Sequence, residues 1–366
     1  MLDSKIFNTA KTDYEAPSIF LGAQDSGLFD TVHKKFPEVW KLYKTMKSLD
    51  WDENEFDYSS CNADFKSCSK DTYDIMIKTL AFQWEADSIA ARSLSPIVAP
   101  FITSSEVWAG WQRISDNEVI HTATYSEIVR TCFDNPNEVL DEILKIHEMF
   151  SRLETVGKVF STAYTIGHKY ALGLVENNQE TYNAIFMFTI AMLVMERIQF
   201  MASFAVTFTI CDTGLFQPIG KAVQKIAQDE LEVHSAFDKA ILTYELKTPR
   251  GKEAFRQCEE QIKQLLREVL QREYDTVDYL FSEGRTLVGS NAKVAKQWVS
   301  FCAKDVYTFL GVEPDVELPA KNPLRFMESW LNMGKIQPSP QEEQNAQYKV
   351  GIMRRTDENE DFDIDF

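Results

Sequence analysis

The chain has 366 residues, with 56 Asp and Glu against 38 Lys and Arg, a formal net charge of −18. So acidic a balance argues against a phosphate-tracking surface, because nucleic-acid affinity rests on Lys and Arg. A hydrophobic content of 44% excludes global disorder, and only 14 Gly and 12 Pro leave few breakers, which favours long helices over a many-stranded β fold.

The N-terminal residues MLDSKIFNTAKTDYEAPSIF lack a basic start followed by an apolar run, so no secretory signal is expected. An amphipathic helix precedes Trp51 and an acidic loop. Residues 69–94 predict a helix stopped by Pro96, and 104–133 predict another, ended by Asp134-Asn135-Pro136-Asn137. Further helices are expected at about 137–152, 153–175, 179–211 and 219–247, then a long charged helix at 252–283 and one at 292–310. Alternating-polarity runs with tight turn signals are not found, and no internal repeat is detected.

Within the fifth of these, residues 184–210 are almost apolar enough to span a membrane, yet Glu196, Arg197 and Gln199 sit in the middle. The flanking apolar runs are too short to span, and a mid-bilayer charge costs at least a few kcal/mol, so a buried core helix and no membrane are expected. A carboxylate centred in such a helix must be compensated, which singles out Glu196. Cysteines 61, 68, 132, 211, 258 and 302 are scattered without CxxC spacing, so reduced thiols in a cytosolic protein are expected. From about 335 the chain turns polar and then acidic. Six of the last ten residues are acids, alternating with Phe362, Ile364 and Phe366. This reads as a flexible tail, 335–366, following a helical domain, 1–334, and its end resembles a peptide that docks in a groove.

Five histidines occur, at 33, 121, 147, 168 and 234. Glu118 and His121 are three apart and share a helix face. His234 has Glu230 four residues back on its own face, whereas Glu232, two back, points nearly opposite. One such pair is usually a surface ion pair. Two of them, beside two further helices that carry Asp87 and Glu196 inside apolar faces, make a different set. Ferritin-like dimetal bundles follow this plan, one acid from each of two helices and a Glu/His pair from each of the others. Four carboxylates balance two divalent ions, which relieves the cost of burying them. Carboxylate and imidazole suit iron or manganese, and the lack of thiolates argues against structural zinc.

These residues carry a family resemblance. Over essentially its whole length the chain resembles the small (beta) subunit of class I ribonucleotide reductase, the radical-generating subunit of the ferritin-like superfamily. The anchors are Asp87-Ser88-Ile89, Glu118 and His121 with Tyr125, Glu196 with Phe200 and Phe204, Asp229-Glu230 with His234, and Tyr348 with Val350-Gly351. The resemblance implies an all-α ferritin-like bundle and a ribonucleoside-diphosphate reductase. Asp87, Glu118 and His121 would hold one ion and Glu196, Glu230 and His234 the other, with Glu118 and Glu230 bridging. The ions would be two irons, manganese being an alternative with the same ligands. Tyr125, one turn beyond His121, would carry a tyrosyl radical formed with O2, walled by Phe200, Phe204 and Ile226.

The resemblance further implies that Trp51, linked through Asp229 to His121, and Tyr348 in the tail relay the oxidising equivalent. It implies a homodimer and a large (alpha) subunit docked by Asp361 to Phe366. Substrate nucleotide would not bind this chain. The family normally has two residues between its second Glu and His, whereas Glu230 and His234 have three. Either a π-bulge or a plain i,i+4 pair would keep them on one face. Two other readings of the same scaffold are a dimetal oxidase or N-oxygenase and an iron-binding protein, neither of which would require Tyr125, Trp51 or the tail.

Overall fold

A computed structural model describes residues 18–22 and 27–332. Tyr348 and the segment 335–366, including Asp361 to Phe366, lie outside the described residues. Among the described residues the chain is helical, with isolated β-bridges such as Phe20 to Ile102 and no strand.

In chain order the helices are α1 (Pro37–Ser48), α2 (Cys61–Ser67), α3 (Lys70–Val98), α4 (Ser105–Cys132), α5 (Pro136–Ile143), α6 (His147–Arg152), α7 (Glu154–Ala171), α8 (Gln179–Val194) and α9 (Met201–Cys211). They continue as α10 (Gln217–Gln228), α11 (Ser235–Glu245), α12 (Pro249–Leu280), α13 (Ala292–Leu310) and the short α14 (Met327–Trp330). Two wider π-helical segments join consecutive helices into single rods: Met195–Gln199 between α8 and α9, and Asp229–His234 between α10 and α11.

Side-chain caps set the starts of the longest elements. Ser69, Ser104, Asn178, Thr248 and Asn291 each accept a backbone N–H two or three residues into the helix they open. Gly311 closes α13 at φ 65°, where a side chain would be strained. The helix predicted to stop before Pro96 runs through it to Val98. Pro96 lies in the last turn, so its missing N–H removes one late rung and the helix ends two residues on. The helix predicted for 137–152 is broken at Leu144–Ile146 into α5 and α6.

The rod α8–α9 is the axis of the core. From Ala184 to Val194 and from Met201 to Cys211 every residue is buried. A helix apolar on all sides has to be surrounded, and α3, α7, α11, α12 and α13 pack around it. Its most apolar stretch is long enough to cross a membrane, yet 94% of it is buried inside the protein. The six cysteines are free thiols. α3 packs along α4, and the two π segments lie against each other, so the predicted acids and imidazoles come from four neighbouring rods.

Candidate metal centre

α3 contributes Asp87, α4 contributes Glu118 and His121, the first π segment Glu196, and the second Glu230 and His234. All six side chains are at most 1% exposed. They form two groups whose donor atoms lie within 4.8 Å of one another: Asp87, Glu118, His121 and Glu230, and Glu118, Glu196, Glu230 and His234. Glu118 and Glu230 belong to both. Glu232 is exposed and takes no part.

The imidazoles are oriented by what lies behind them. His121 directs Nδ1 at Glu230 (3.2 Å), Glu118 (3.4 Å) and Asp87 (3.8 Å), while Nε2 donates to Asp229 Oδ2 at 3.1 Å. A carboxylate at Nε2 holds the proton there and leaves Nδ1 free as a ligand. His234 points Nδ1 at Glu230 (3.2 Å) and Glu118 (3.6 Å), and its Nε2 meets the Asn117 amide at 3.3 Å. Nδ1, facing the carboxylates, donates to Glu230 Oε2, and Nε2 accepts from the Asn117 amide nitrogen Nδ2.

Both oxygens of Asp87, Glu118 and Glu196, Oε1 of Glu230 and Nδ1 of His121 are buried and make no hydrogen bond. So many orphaned acceptors in one space are costly unless a cation collects them. The electrostatics show the same need. Burial, then the Glu118 charge, hold the Asp87 carboxyl well above its ordinary range, and burial, then Glu230, raise Glu118. Burial and the neighbouring Glu230 likewise hold Glu196 well above its range. Glu230 goes the other way. Burial opposes its charge, but the adjacent Glu196 carboxyl and the His234 charge bring it below the usual carboxylate range. Against the effect of burial, Asp229, Glu118 and Glu230 raise His121, and Glu230 raises His234. The cluster holds protons where a pair of dications would replace them. The donor set fits two divalent ions of the iron or manganese kind.

The surroundings are continuous with this cluster. Trp51, 6% exposed, donates its indole N–H to the Asp229 oxygen that His121 also contacts, at 2.7 Å. The rings of Trp51, His121 and His234 are spaced 6.0 Å apart in sequence, each tilted less than 30° from the next. Tyr125 is 1% exposed, and its hydroxyl makes no hydrogen bond. Burial, then the Asp87 charge, push its phenol well above the ordinary range. Phe200, Phe204 and Ile226 are fully buried, and Phe200, Phe204 and Phe208 stack one turn apart.

Sequence reasoning did not find Asn117 or Asp238. Asp238 is buried with neither oxygen hydrogen-bonded, and burial, then the Glu230 charge, raise it well above its range. The available signal was its place one turn beyond His234 on the same face.

Comparison with known proteins is consistent with this geometry. The sequence model of the family described as "Ribonucleotide reductase, small chain" matches residues 28–323. A ribonucleoside-diphosphate reductase subunit beta of Buchnera aphidicola subsp. Schizaphis graminum is 26% identical over 97% of both chains. The subunit beta of ribonucleoside-diphosphate reductase 1 of Escherichia coli O157:H7 is 24% identical over 94% of both. Among solved structures, the ribonucleotide reductase R2 subunit from Clostridium botulinum superposes with a TM-score of 0.77 at 18% identity, covering 90% of this chain and 99% of its own. A dimanganese(II)-NrdF of Streptococcus sanguinis superposes with a TM-score of 0.67 at 13% identity, covering 82% and 98%.

Proposed function

Because the chain belongs to the ribonucleotide reductase small-chain family, as the beta subunit of a class I ribonucleoside-diphosphate reductase, we propose that it generates and stores a tyrosyl radical at Tyr125 for use by the large subunit. The observation that carries this reading is the sharing of Glu118 and Glu230 by the two donor groups, beside a buried phenol without a hydrogen bond.

Asp87, Glu118 and His121 would hold one ion and Glu196, Glu230 and His234 the other, with Glu118 and Glu230 common to both donor groups. Iron is the proposed metal, and manganese takes the same ligands. When bound and reduced, the pair supplies the chemistry that turns O2 into a one-electron oxidant. The chain's own part is positional. Tyr125 would give up its electron to that oxidant and its phenolic proton to the oxygen being reduced, and after burial the Asp87 charge is the largest influence on the phenol. The apolar walls keep water and reductants from the phenoxyl that remains.

Transfer outward uses Trp51, Asp229 and His121, whose hydrogen bonds share a single carboxylate oxygen. In this proposal Tyr348 continues the route, and the tail 335–366 docks the chain on the large subunit through Asp361 to Phe366. The functional protein is a cytosolic homodimer that binds neither nucleic acid nor membrane. The test is to load the metal-free chain with ferrous iron without oxygen and then admit air. A tyrosyl resonance with its sharp optical band, absent from Tyr125→Phe, is expected. Iron uptake without a radical would instead support an iron-binding protein.

A further inference from the structure

Away from the ligand cluster, a second group of buried charges reaches the backbone that carries Glu196. Arg152, at the end of α6, is 1% exposed, and Glu273 of α12 is fully buried. Arg152 donates from Nε and Nη2 to the two Glu273 oxygens, and Nη2 also donates to the backbone carbonyl of Gln199. Gln199 is the last residue of the first π segment, and its side chain donates back to the Arg152 carbonyl at 2.5 Å. The guanidinium lies 3.4 Å from the centroid of Phe82, whose ring is 6.0 Å from Phe200, and Phe200 closes the segment through its N–H to the Met195 carbonyl at 3.3 Å.

A buried ion pair seldom adds net stability, because losing water costs each charge about as much as the attraction returns. What such a pair supplies is geometry. A planar fork of five donors can hold a carboxylate on one edge and a carbonyl beside it. At the junction of a π turn with an α-helix the hydrogen-bond ladder changes step, and a donor arriving from another helix fixes where that change occurs. On its other side the same segment is tied by Arg197 to Asp305 of α13, at 3.0 Å. Glu196 belongs to this segment and immediately precedes the first of its two anchored residues, Arg197 and Gln199.

We infer that Arg152, held by Glu273, is a positioning residue that keeps Met195–Gln199 in its π form and so aims Glu196 at the metal pair. This rests on the dimetal reading of the cluster. The ligand set by itself does not require it, since neither residue touches a donor atom.

The test is a manganese(II) titration of the metal-free full-length chain, read by bound stoichiometry and by electron paramagnetic resonance, with thermal unfolding as the control. Two variants are used. The apolar double variant Arg152→Met with Glu273→Leu removes both charges together, and Arg152→Lys keeps the charge but lacks the fork. In each, the ion held by Glu196, Glu230 and His234 is expected to weaken about tenfold or more. The chain then retains one ion where the parent binds two, and the coupled-pair signal gives way to that of an isolated ion. Two ions bound at parental affinity in either folded variant would overturn the inference. Loss of the fold in both variants would also overturn it, because the pair would then serve stability alone. Failure of the parent itself to bind two ions is a distinct result that removes the dimetal reading.

Discussion

Trp51 and Asp229, 178 residues apart in sequence, are joined by an indole N–H to carboxylate hydrogen bond of 2.7 Å, and the same oxygen lies 3.1 Å from His121. Asp229 thereby does two things at once. It orders the His121 imidazole and ties it to the Trp51 ring at the edge of the cluster. The two duties separate by mutation. Trp51→Phe should keep both ions and the Tyr125 radical but lose ribonucleotide reduction with the large subunit. Asp229→Asn places an amide where His121 needs a carboxylate, and should in addition weaken metal binding about 10- to 100-fold. Metal titration beside a deoxynucleotide assay distinguishes the two patterns.

Tyr125→Phe deletes a hydroxyl that has no hydrogen bond. Removing such a group from a buried site costs little stability. The variant should unfold within about 1 kcal/mol of the parent, bind two ions and show no radical resonance. A radical of unchanged line shape in this variant would place the oxidised residue elsewhere.

Gly110 of α4 faces Phe237 of α11 so closely that an added Cβ would sit 2.0 Å from a ring carbon. These rods carry Glu118, His121 and His234. Gly110→Ala should destabilise the fold by about 1–3 kcal/mol, the range for overpacking a filled core, and lower metal affinity by spreading the rods. Urea unfolding and manganese titration measure the two effects.

Burial raises Glu245 to about 7, with Tyr182 and Arg250 partly opposing the shift. A carboxyl that holds its proton more tightly when folded adds stability that is fully present below its unfolded range, near 4.5, and is lost as pH rises through 7. Stability should therefore decline between about pH 5 and 7, by at most about 1.4 kcal/mol per pH unit for this group. Glu245→Gln should flatten that decline. Thermal midpoints of both proteins across the range provide the comparison.

Deleting Asp361 to Phe366 should leave the metal centre and the radical untouched while weakening association with the large subunit. Tyr348→Phe should retain radical and association but not turnover. Binding titrations and radical quantitation on the two variants read these outcomes independently.

The centre was legible in the sequence to the extent that helical periodicity governs it. Asp87, Glu118 and His121 lie on regular helix, where about 100° per residue decides which side chains share a face. Glu230 and His234 were ambiguous because their spacing admits two backbone forms, and the π segment Asp229–His234 resolves that ambiguity with both donors on the cluster. Arg152, Glu273 and Asn117 left no periodic trace. Arg152 finds its acid 121 residues away, and a single buried Asn in a polar stretch of α4 resembles any surface Asn. The break between α5 and α6 was missed for a similar reason, since Leu144–Ile146 contains neither Gly nor Pro.

Each widened turn spends one more residue than an ordinary rung, and Glu196, Glu230 and His234 all sit within such turns. A single-codon deletion inside Asp229–His234 would therefore turn the widened turn into an ordinary rung and leave the rod beyond it in register. Ile241 and Leu242 would keep their places in the core, and the change would fall on the approach of Glu230 and His234 to the cluster. The damage from a lost codon there is local to the donors.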